Sequence, residues 1–160
     1  RTGVPDGRAL PRAPRGGRVT YLLDTDHISV LQLRAGPAYT TLRNRMAQHP
    51  RTDIAVSIVS LHEQVLGCHA YLQRARTTRE VVHGYTLLAQ VLEHFTIAPV
   101  LPFDEPAATV FAALVARRVR VRTMDLRIAA TALARGLVVL TRNASDFGQV
   151  PGLQIEDWTV

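Results

Sequence analysis

Lysine is absent from the sequence, because all 19 of its basic residues are arginine. That absence excludes several classes of protein. A Walker-type phosphate-binding loop needs its lysine, and an enzyme that forms a Schiff base needs a lysine amine. A receiver domain also places carboxylates at strand ends, but it uses a lysine beside the aspartate that is phosphorylated. The chain therefore fits none of these three functions.

Other absences narrow the class further. The single cysteine, Cys68, cannot form an internal disulfide, which fits a reducing compartment. No apolar run reaches the roughly 18 residues that span a bilayer, and the N-terminus lacks the apolar segment of a secretory signal. With 160 residues, 47% of them hydrophobic, we expect one cytoplasmic domain with a sizeable core and no membrane contact.

The formal charge of +6 is unevenly distributed. Residues 1–18 hold five arginines and one acid, whereas the rest of the chain has 14 arginines against 12 acids. The first segment is rich in Pro, Gly and Arg and does not begin with Met. We therefore expect a disordered extension, or translated sequence upstream of the true start, ahead of a folded domain at 19–160. A basic arm that contacts RNA is the alternative.

Strand-like and helix-like segments alternate along this domain. The predicted strands lie at 19–24, 53–60, 96–103, 137–141 and 153–158. A short helix is predicted just after Asp24, and further helices lie around 38–48 and at 60–75, 79–95, 105–118 and 124–135. Such alternation predicts an α/β fold with a largely parallel sheet. In sheets of this kind, ligands bind beyond the carboxyl ends of the strands.

A few residues predict the helix boundaries and one helix face. Ser60 and Glu63 have the spacing of a capping box at the start of a helix. The other predicted boundary residues are Asp104 and Thr123, each just before a helix, and Gly136, just after one. In the helix at 79–95, five apolar residues share one predicted core face: Val82, Tyr85, Leu88, Leu92 and Phe95.

Four acids are placed to converge at one edge of the predicted sheet. Asp24 ends the first strand, and Glu63 lies one turn into the helix after the second strand. Asp125 begins the helix before the fourth strand, and Asp146 lies in the loop after that strand. Clustered carboxylates repel unless a cation or shared protons neutralise them, and oxygen ligands suit Mg²⁺ or Mn²⁺.

Each of three acids also has a local structural explanation. Glu63 fits the capping box, Asp125 favours the helix dipole, and Asp146 is placed to cap a final turn. His27, close to Asp24, is predicted to be a hydrogen-bonded structural histidine.

Four motifs stand in order along the chain: "LLDTDHIS", "VSLHEQVLG", "MDLRIAATALARGLVVLTRNASDF" and "GLQIEDW". In this combination the sequence resembles a PIN domain, and more narrowly the VapC-type toxins of bacterial type II toxin–antitoxin systems, over about residues 19–160. The resemblance implies a three-layer α/β/α sandwich with a central, mainly parallel sheet of about 4–5 strands. It also implies a Mg²⁺-dependent endoribonuclease that uses a metal-activated water, with Mn²⁺ as the alternative ion.

The resemblance also implies roles for individual residues. The acidic quartet, with metal-binding and catalytic roles, is matched by Asp24, Glu63, Asp125 and Asp146. Supporting polar roles are matched by Thr141, Asn143 and Asp26.

Three arginines lie close in sequence to the acids and are candidate contacts for RNA phosphates: Arg122, Arg127 and Arg142. Arg127 is two residues beyond Asp125 on a helix, so it need not face the same way. Arg122 stands where many relatives have glycine, which makes the approach to Asp125 bulkier and more charged.

Partners follow from the same resemblance. VapC-like toxins pair with a small VapB-like antitoxin and commonly form homodimers. Their substrates are transfer RNA or ribosomal RNA. The apolar helices at 60–75 and 79–95 are candidate surfaces for protein contacts.

Rival motifs are incomplete. The stretch "HEQVL" begins like the zinc-protease helix HExxH but has Leu66 where the second histidine is required. His62, Cys68 and His69 lack the further ligands of a zinc site. The GxSxG of serine hydrolases and the GxGxxG of dinucleotide binding are absent. Two alternatives stay open: a PIN-like module that binds RNA or protein without catalysis, and a metal-dependent nuclease that acts on DNA.

Overall fold

The computed structural model describes residues 20–96 and 98–160. The extension predicted at 1–18 lies outside the described residues. The strands are β1 (Tyr21–Leu23), β2 (Ile54–Ser57), β3 (Val100–Leu101), β4 (Val138–Leu140) and β5 (Gln154–Glu156). The helices are α1 (Thr25–Leu33), α2 (Pro37–Met46), α3 (Ile58–Arg74), α4 (Thr78–Phe95), α5 (Glu105–Ala116), α6 (Thr123–Leu133) and the short α7 (Ala144–Phe147). Among the described helices, none combines the length and apolarity that crossing a membrane requires.

The five strands form one parallel sheet in the order β3-β2-β1-β4-β5. Leu22 of β1 is in register with Ala55 of β2 on one side and Val139 of β4 on the other. The strand order therefore reverses at β1, whose neighbours come from two halves of the chain. In open parallel sheets the crevice at such a reversal, outside the carboxyl ends of the strands, is where ligands bind.

Alternate strand residues face two separate core layers. Leu22 and Val139 pack into one apolar cluster with side chains of α5, α6 and α7, while Leu23 and Leu140 pack into a second cluster with side chains of α1, α2 and α4. The central strands β1, β2 and β4 are thus covered on both faces, as expected for a parallel sheet flanked by helices, whereas the edge strands β3 and β5 are partly exposed. The predicted α/β/α sandwich with a parallel sheet is confirmed.

The start of α3 differs from the prediction. The helix begins at Ile58, and the Ser57 hydroxyl accepts the backbone N–H of Val59 at 3.0 Å. The predicted cap at Ser60 is wrong, because Ser60 is fully buried inside the helix. The β-branched pair after Ser57 favours a strand by propensity, but burial of Val59 in the core overrides it. Glu63 therefore lies beyond the first turn and is not a capping-box residue.

The capping box belongs instead to α4, where Thr77 and Glu80 exchange side-chain and backbone hydrogen bonds. At α6, the predicted cap Thr123 is the first helical residue, and Arg122 occupies the N-cap position. Asp104 caps α5 as predicted, accepting the N–H of Ala107 at 3.2 Å.

The predicted core face of α4 is only partly correct. Phe95 is buried, but the side chains of Val82, Tyr85 and Leu92 are 61%, 61% and 58% exposed. The helix turns a different set of residues inward, with Val91 beside Phe95. An apolar stripe on α4 is therefore left uncovered in the single chain.

Candidate active site

The carboxyl ends of β1 and β4 place Asp24 and Thr141 side by side. The Asp24 Oδ2 atom accepts the Thr141 hydroxyl at 2.9 Å, and both residues are buried. Among the described residues, the buried Asp24 Oδ1 atom has no hydrogen-bond partner. Burial, followed by the negative charge of Asp26, raises the pKa of Asp24 to about 7. A proton or a cation would stabilise a buried carboxylate that has an unpaired oxygen.

Asp26, in the first turn of α1, is held by several donors. Its Oδ2 atom accepts the backbone N–H of Arg142 at 2.8 Å, and the Thr141 hydroxyl lies 3.3 Å from the same atom. Its Oδ1 atom is 2.8 Å from the His27 Nδ1 atom. Burial raises the pKa of Asp26, but the hydrogen bonds from His27 and Arg142 outweigh it and hold the pKa below its usual range. Asp26 is therefore the ionised neighbour of Asp24.

Glu63 reaches the same edge of the sheet from the second turn of α3. Its carboxylate accepts a hydrogen bond from the hydroxyl of Thr25, the first residue of α1. The side chain is half-buried. Thr25 was missed in the sequence, although it lies inside the "LLDTDHIS" motif beside Asp24.

Asp125, in the first turn of α6, is paired with a cation. Arg122 Nε donates to Asp125 Oδ2 at 3.0 Å, and Arg122 Nε is 3.9 Å from Asp146 Oδ2. Burial raises the pKa of Asp125, and the Arg122 charge offsets part of the rise. The Arg122 side chain itself is 76% exposed, so it covers the acids from the solvent side.

Asp146 sits in α7, where Asn143 occupies the N-cap position. Asn143 Oδ1 accepts the backbone N–H of Asp146, and Asn143 Nδ2 donates to Asp146 Oδ2 at 3.0 Å. The predicted capping role of Asp146 is wrong, because Asn143 caps the turn. Thr141 Oγ1 in turn accepts the backbone N–H of Asn143 at 3.0 Å. The "TRN" segment thus connects Asp146 to Asp24.

The candidate phosphate-binding arginines differ in position. Arg122 lies on the acids, but the Arg127 guanidinium stacks over the Phe111 ring at 5.7 Å and donates to the Met124 sulfur at 3.7 Å. Arg142 contributes its backbone N–H to Asp26, and its side chain is exposed. The structure therefore brings one of the three guanidinium groups to the acids.

The charges of the acids act on one another across the site. Asp125 contributes to the raised pKa of Asp24, and Asp146 and Asp26 contribute to that of Asp125. The negative charge of Glu63 raises the pKa of Arg122, because it stabilises the guanidinium cation. The four acids predicted from the sequence thus meet at one edge, around the end of β1.

The candidate ligands are of the chemical type that binds a divalent cation, but they are not already arranged as a coordination site. Within residues 20–96 and 98–160, no three His, Cys, Asp or Glu side chains form a ready metal-binding group. All the candidate donors are carboxylate oxygens, the ligands that Mg²⁺ and Mn²⁺ prefer. The buried Oδ1 atom of Asp24, which has no hydrogen-bond partner among the described residues, fits a positively charged ligand. Arg122 occupies part of that role at Asp125.

A separate concave surface of about 540 Å³ lies between α1, α2, β2 and α4. Its lining is largely apolar and includes Leu31, Met46 and Phe95. Several basic residues stand among them: Arg34, Arg43, Arg51, His49 and His94. We call this surface the α1–α2 groove.

The profile of the PIN domain matches residues 21–153 of the chain. The chain is 32% identical over 138 residues to the "tRNA(fMet)-specific endonuclease VapC" of Salmonella typhimurium (strain LT2), a match that covers 86% of this chain and 97% of that protein. It is 30% identical over 143 residues to the protein of the same name from Shigella flexneri, with 87% and 98% covered.

Solved structures agree with this match. DNA-bound VapBC from Salmonella typhimurium superposes with a TM-score of 0.70 at 26% identity, over 88% of this chain and 98% of that chain. VapBC-1 from nontypeable Haemophilus influenzae superposes with a TM-score of 0.68 at 21% identity, over 88% and 99%. The second similarity is one of fold alone.

Proposed function

Because the chain belongs to the PIN-domain family and to its VapC-like members, we propose that it is a metal-dependent endoribonuclease and the toxin of a toxin–antitoxin pair. The observation that carries the proposal is Asp24, a buried acid with one unpaired oxygen at the point where the strand order reverses. The relatives named as endonucleases support the reaction class. The neighbours solved as VapBC complexes support the toxin role.

The four acids have different proposed roles. Asp24, with Asp125 or Asp146, would hold the cation, while Glu63 would bind a second ion or orient a water molecule. A bound divalent cation lowers the pKa of water and offsets the charge that builds on the phosphate during hydrolysis.

The neighbouring residues hold these acids in place. Thr25 orients Glu63 through its hydroxyl, and Asn143 orients Asp146 through its amide. Thr141 supplies the one side-chain hydrogen bond to Asp24 that the described residues contain. Arg122, which is exposed on the solvent side, is free to turn from Asp125 to a substrate phosphate.

We propose transfer RNA as the substrate, because the two relatives at 30% identity or more are named for cleavage of tRNA(fMet). We therefore also propose that the enzyme acts in the cytoplasm, where transfer RNA acts. Ribosomal RNA and DNA are the alternatives that the experiment below separates.

The test compares the purified protein with its Asp24→Asn variant on total RNA, on an initiator tRNA transcript and on DNA of the same sequence. Reactions contain Mg²⁺, Mn²⁺ or EDTA, and fragment ends are mapped by sequencing. Glu93→Gln is the matched control, since it removes one exposed carboxylate on α4. We expect metal-dependent cuts at few positions in tRNA with the wild type and the control, and none with Asp24→Asn. Equal cleavage by both proteins would refute the metal-site assignment.

Other outcomes choose between the alternatives. Cuts confined to ribosomal RNA would replace the tRNA substrate but keep the nuclease. Cleavage of DNA in preference to RNA would make the protein a DNA nuclease. Binding of RNA without any cleavage, in either metal, would favour the non-catalytic module.

We also propose that the α1–α2 groove binds the antitoxin. An apolar groove with basic residues around it fits a segment that combines apolar and acidic side chains.

Arg43→Glu, which reverses an exposed charge in the groove, should weaken antitoxin binding about tenfold, an order of magnitude typical of a close charge pair. Arg74→Glu, at the end of α3 and outside the groove lining, is the control. The partner to use is a small DNA-binding protein encoded beside this gene, and equal binding by both variants would exclude the groove.

We propose that a second copy of this chain packs on the exposed stripe of α4 and forms a homodimer. Val82, Tyr85 and Leu92 form an apolar strip on α4, and Leu66 of α3 is also 47% exposed. Exposed apolar strips of this kind mark protein contacts. Tyr85→Glu should convert the dimer to a monomer in light scattering after gel filtration, with the circular dichroism spectrum unchanged. A wild-type protein that is already monomeric at micromolar concentration would contradict the proposal.

A further inference from the structure

His27 is fully buried between the acidic site and the C-terminal segment. Its Nε2 atom accepts the backbone N–H of Trp158 at 3.2 Å, and its Nδ1 atom lies 2.8 Å from Asp26 Oδ1. The Asp157 Oδ1 atom is 3.6 Å from Nε2, beyond hydrogen-bond distance, and accepts the backbone N–H and the hydroxyl of Thr159 instead. Nothing in the catalytic proposal above uses this residue, and the sequence predicted a hydrogen-bonded structural histidine.

The two contacts decide which nitrogen of the ring carries the proton. An imidazole nitrogen that accepts a backbone N–H must present its lone pair, so Nε2 is unprotonated. The ring proton therefore lies on Nδ1 and is donated to Asp26. The C-terminal segment that imposes this choice is itself anchored, since Arg45 Nη1 donates to the Asp157 carbonyl at 3.2 Å and the Trp158 ring stacks on His49.

The position of the His27 proton affects Asp24 through the hydroxyl of Thr141. Thr141 has a single hydroxyl hydrogen, and two carboxylates compete for it: Asp24 at 2.9 Å and Asp26 at 3.3 Å. Asp26 is already supplied by His27 and by the Arg142 N–H. The hydroxyl proton is therefore left for Asp24, whose other oxygen has no partner among the described residues.

We propose that His27 is a positioning residue: its Nδ1–H satisfies Asp26, so that the Thr141 hydroxyl stays on Asp24 and holds that carboxylate ready for a cation. The inference rests on the proposed metal site. It assigns His27 an effect on the cation that it never touches, transmitted through Asp26 and Thr141.

Two substitutions separate the two hydrogen bonds of the ring. In His27→Asn the amide nitrogen takes the place of Nδ1 and keeps the donor to Asp26. In His27→Gln the longer side chain reaches the place of Nε2 and keeps an acceptor for Trp158, but it loses the donor to Asp26. A merely structural histidine gives no reason for the two variants to differ in metal binding at equal stability.

The primary measurement is the affinity of the substrate-free protein for Mn²⁺ by isothermal titration calorimetry, with urea unfolding of the same samples. We expect His27→Gln to bind Mn²⁺ about tenfold or more weakly, the usual loss when an outer partner of a metal ligand is removed. We expect His27→Asn to stay within about threefold of the wild type by the same reasoning. Equal losses in both variants, or a loss that tracks unfolding free energy, would overturn the proposal.

A double-mutant cycle adds a second criterion. If His27 acts through Asp26, the combination of Asp26→Asn with His27→Gln should bind Mn²⁺ no more weakly than Asp26→Asn alone. Additive losses would contradict the pathway. Nitrogen-15 NMR of the imidazole, without metal or substrate, should show the proton on Nδ1, and a proton on Nε2 would refute the assignment.

These readouts do not depend on cleavage of RNA. If the wild type binds Mn²⁺ and the two variants differ as expected, the positioning role stands even where no RNA is cut, and only the proposed nuclease activity fails. If the wild type cuts RNA and both variants bind Mn²⁺ as it does, the nuclease stands and the role of His27 fails. A wild type that binds no Mn²⁺ overturns the inference.

Discussion

Replacement of Asp24 by asparagine should stabilise the metal-free protein above pH 7. The wild-type carboxyl has its pKa raised from 3.8 to about 7, chiefly because it is buried. At roughly 1.4 kcal/mol for each pKa unit, this corresponds to about 4 kcal/mol of folding free energy lost when the group ionises. Asparagine has nearly the same shape and no charge to bury, so the variant escapes that loss.

The sign of the effect depends on pH. The folded state keeps the Asp24 proton to a higher pH than the unfolded chain does, so it binds more protons between about pH 4 and pH 7. The contribution of this group to stability is therefore fully present below pH 4, declines as pH rises to about 7, and stays lost above it. The difference between Asp24→Asn and the wild type should be small at pH 4 and approach about 4 kcal/mol at pH 8.

The assay is urea unfolding in EDTA at pH 4 and pH 8, followed by tryptophan fluorescence. Glu93→Gln is the control, because its exposed carboxylate has no burial to relieve. Added Mn²⁺ should narrow the difference at pH 8, since a ligand at 100 times its Kd stabilises the wild type by about 2.7 kcal/mol and the variant by less. A variant less stable than the wild type at both pH values in EDTA would refute the reasoning.

Three further substitutions test separate parts of the structure. Thr25→Val removes the hydroxyl that Glu63 accepts and should lower kcat about tenfold with little change in the unfolding midpoint; an unchanged kcat would show that Glu63 needs no such support. Arg122→Gln removes the cation paired with Asp125 and should tighten Mn²⁺ binding a few-fold while it weakens RNA binding. Both affinities are measured by calorimetry, with Arg120→Gln as the control, and tighter RNA binding would contradict the proposed contact of Arg122 with a phosphate. Ser57→Ala removes the α3 cap and should lower the unfolding free energy by about 1 kcal/mol, whereas Ser60→Ala should leave that hydrogen bond intact; a loss in Ser60→Ala alone would restore the predicted cap.

The sequence was sufficient for the sheet and for the convergence of the acids. Asp24 follows a buried apolar strand and Asp146 lies past another, so their common edge follows from the parallel sheet alone. The hydrogen bonds within the site were not predictable in the same way. Thr141 and Asp26 are 115 residues apart, and their contact depends on the register of β1 against β4.

The failures have local causes. Propensity assigned Ile58 and Val59 to a strand because both are β-branched. Both lie instead in the first turn of α3, where Val59 packs in the core and Ile58 is 40% exposed. On α4 the periodicity correctly identified an apolar stripe. A helical stripe does not reveal whether its cover is the core of the same chain or another molecule, so Val82 and Tyr85 were assigned to the core although they are exposed.

Three acids of the site are stabilised by three different means. At pH values below about 7 Asp24 holds a proton, and Arg122 neutralises Asp125 from the solvent side. Asp26 stays ionised because His27 and the Arg142 N–H supply it with hydrogen bonds.

Protonation of Asp24 and the ion pair between Arg122 and Asp125 are readily reversed, since a proton can dissociate and an exposed arginine side chain can turn away without disturbing the core. The hydrogen bonds to Asp26 come from a backbone N–H and from the fully buried His27, so the fold fixes them. A divalent cation would therefore displace the proton of Asp24 and the guanidinium of Arg122 while Asp26, His27 and Thr141 keep their arrangement. Cation binding should release about one proton near pH 6 and almost none at pH 9, because Asp24 is already ionised there. Calorimetry in buffers of different ionisation enthalpy measures that number directly, and a proton release that does not change with pH would show that Asp24 is not a ligand.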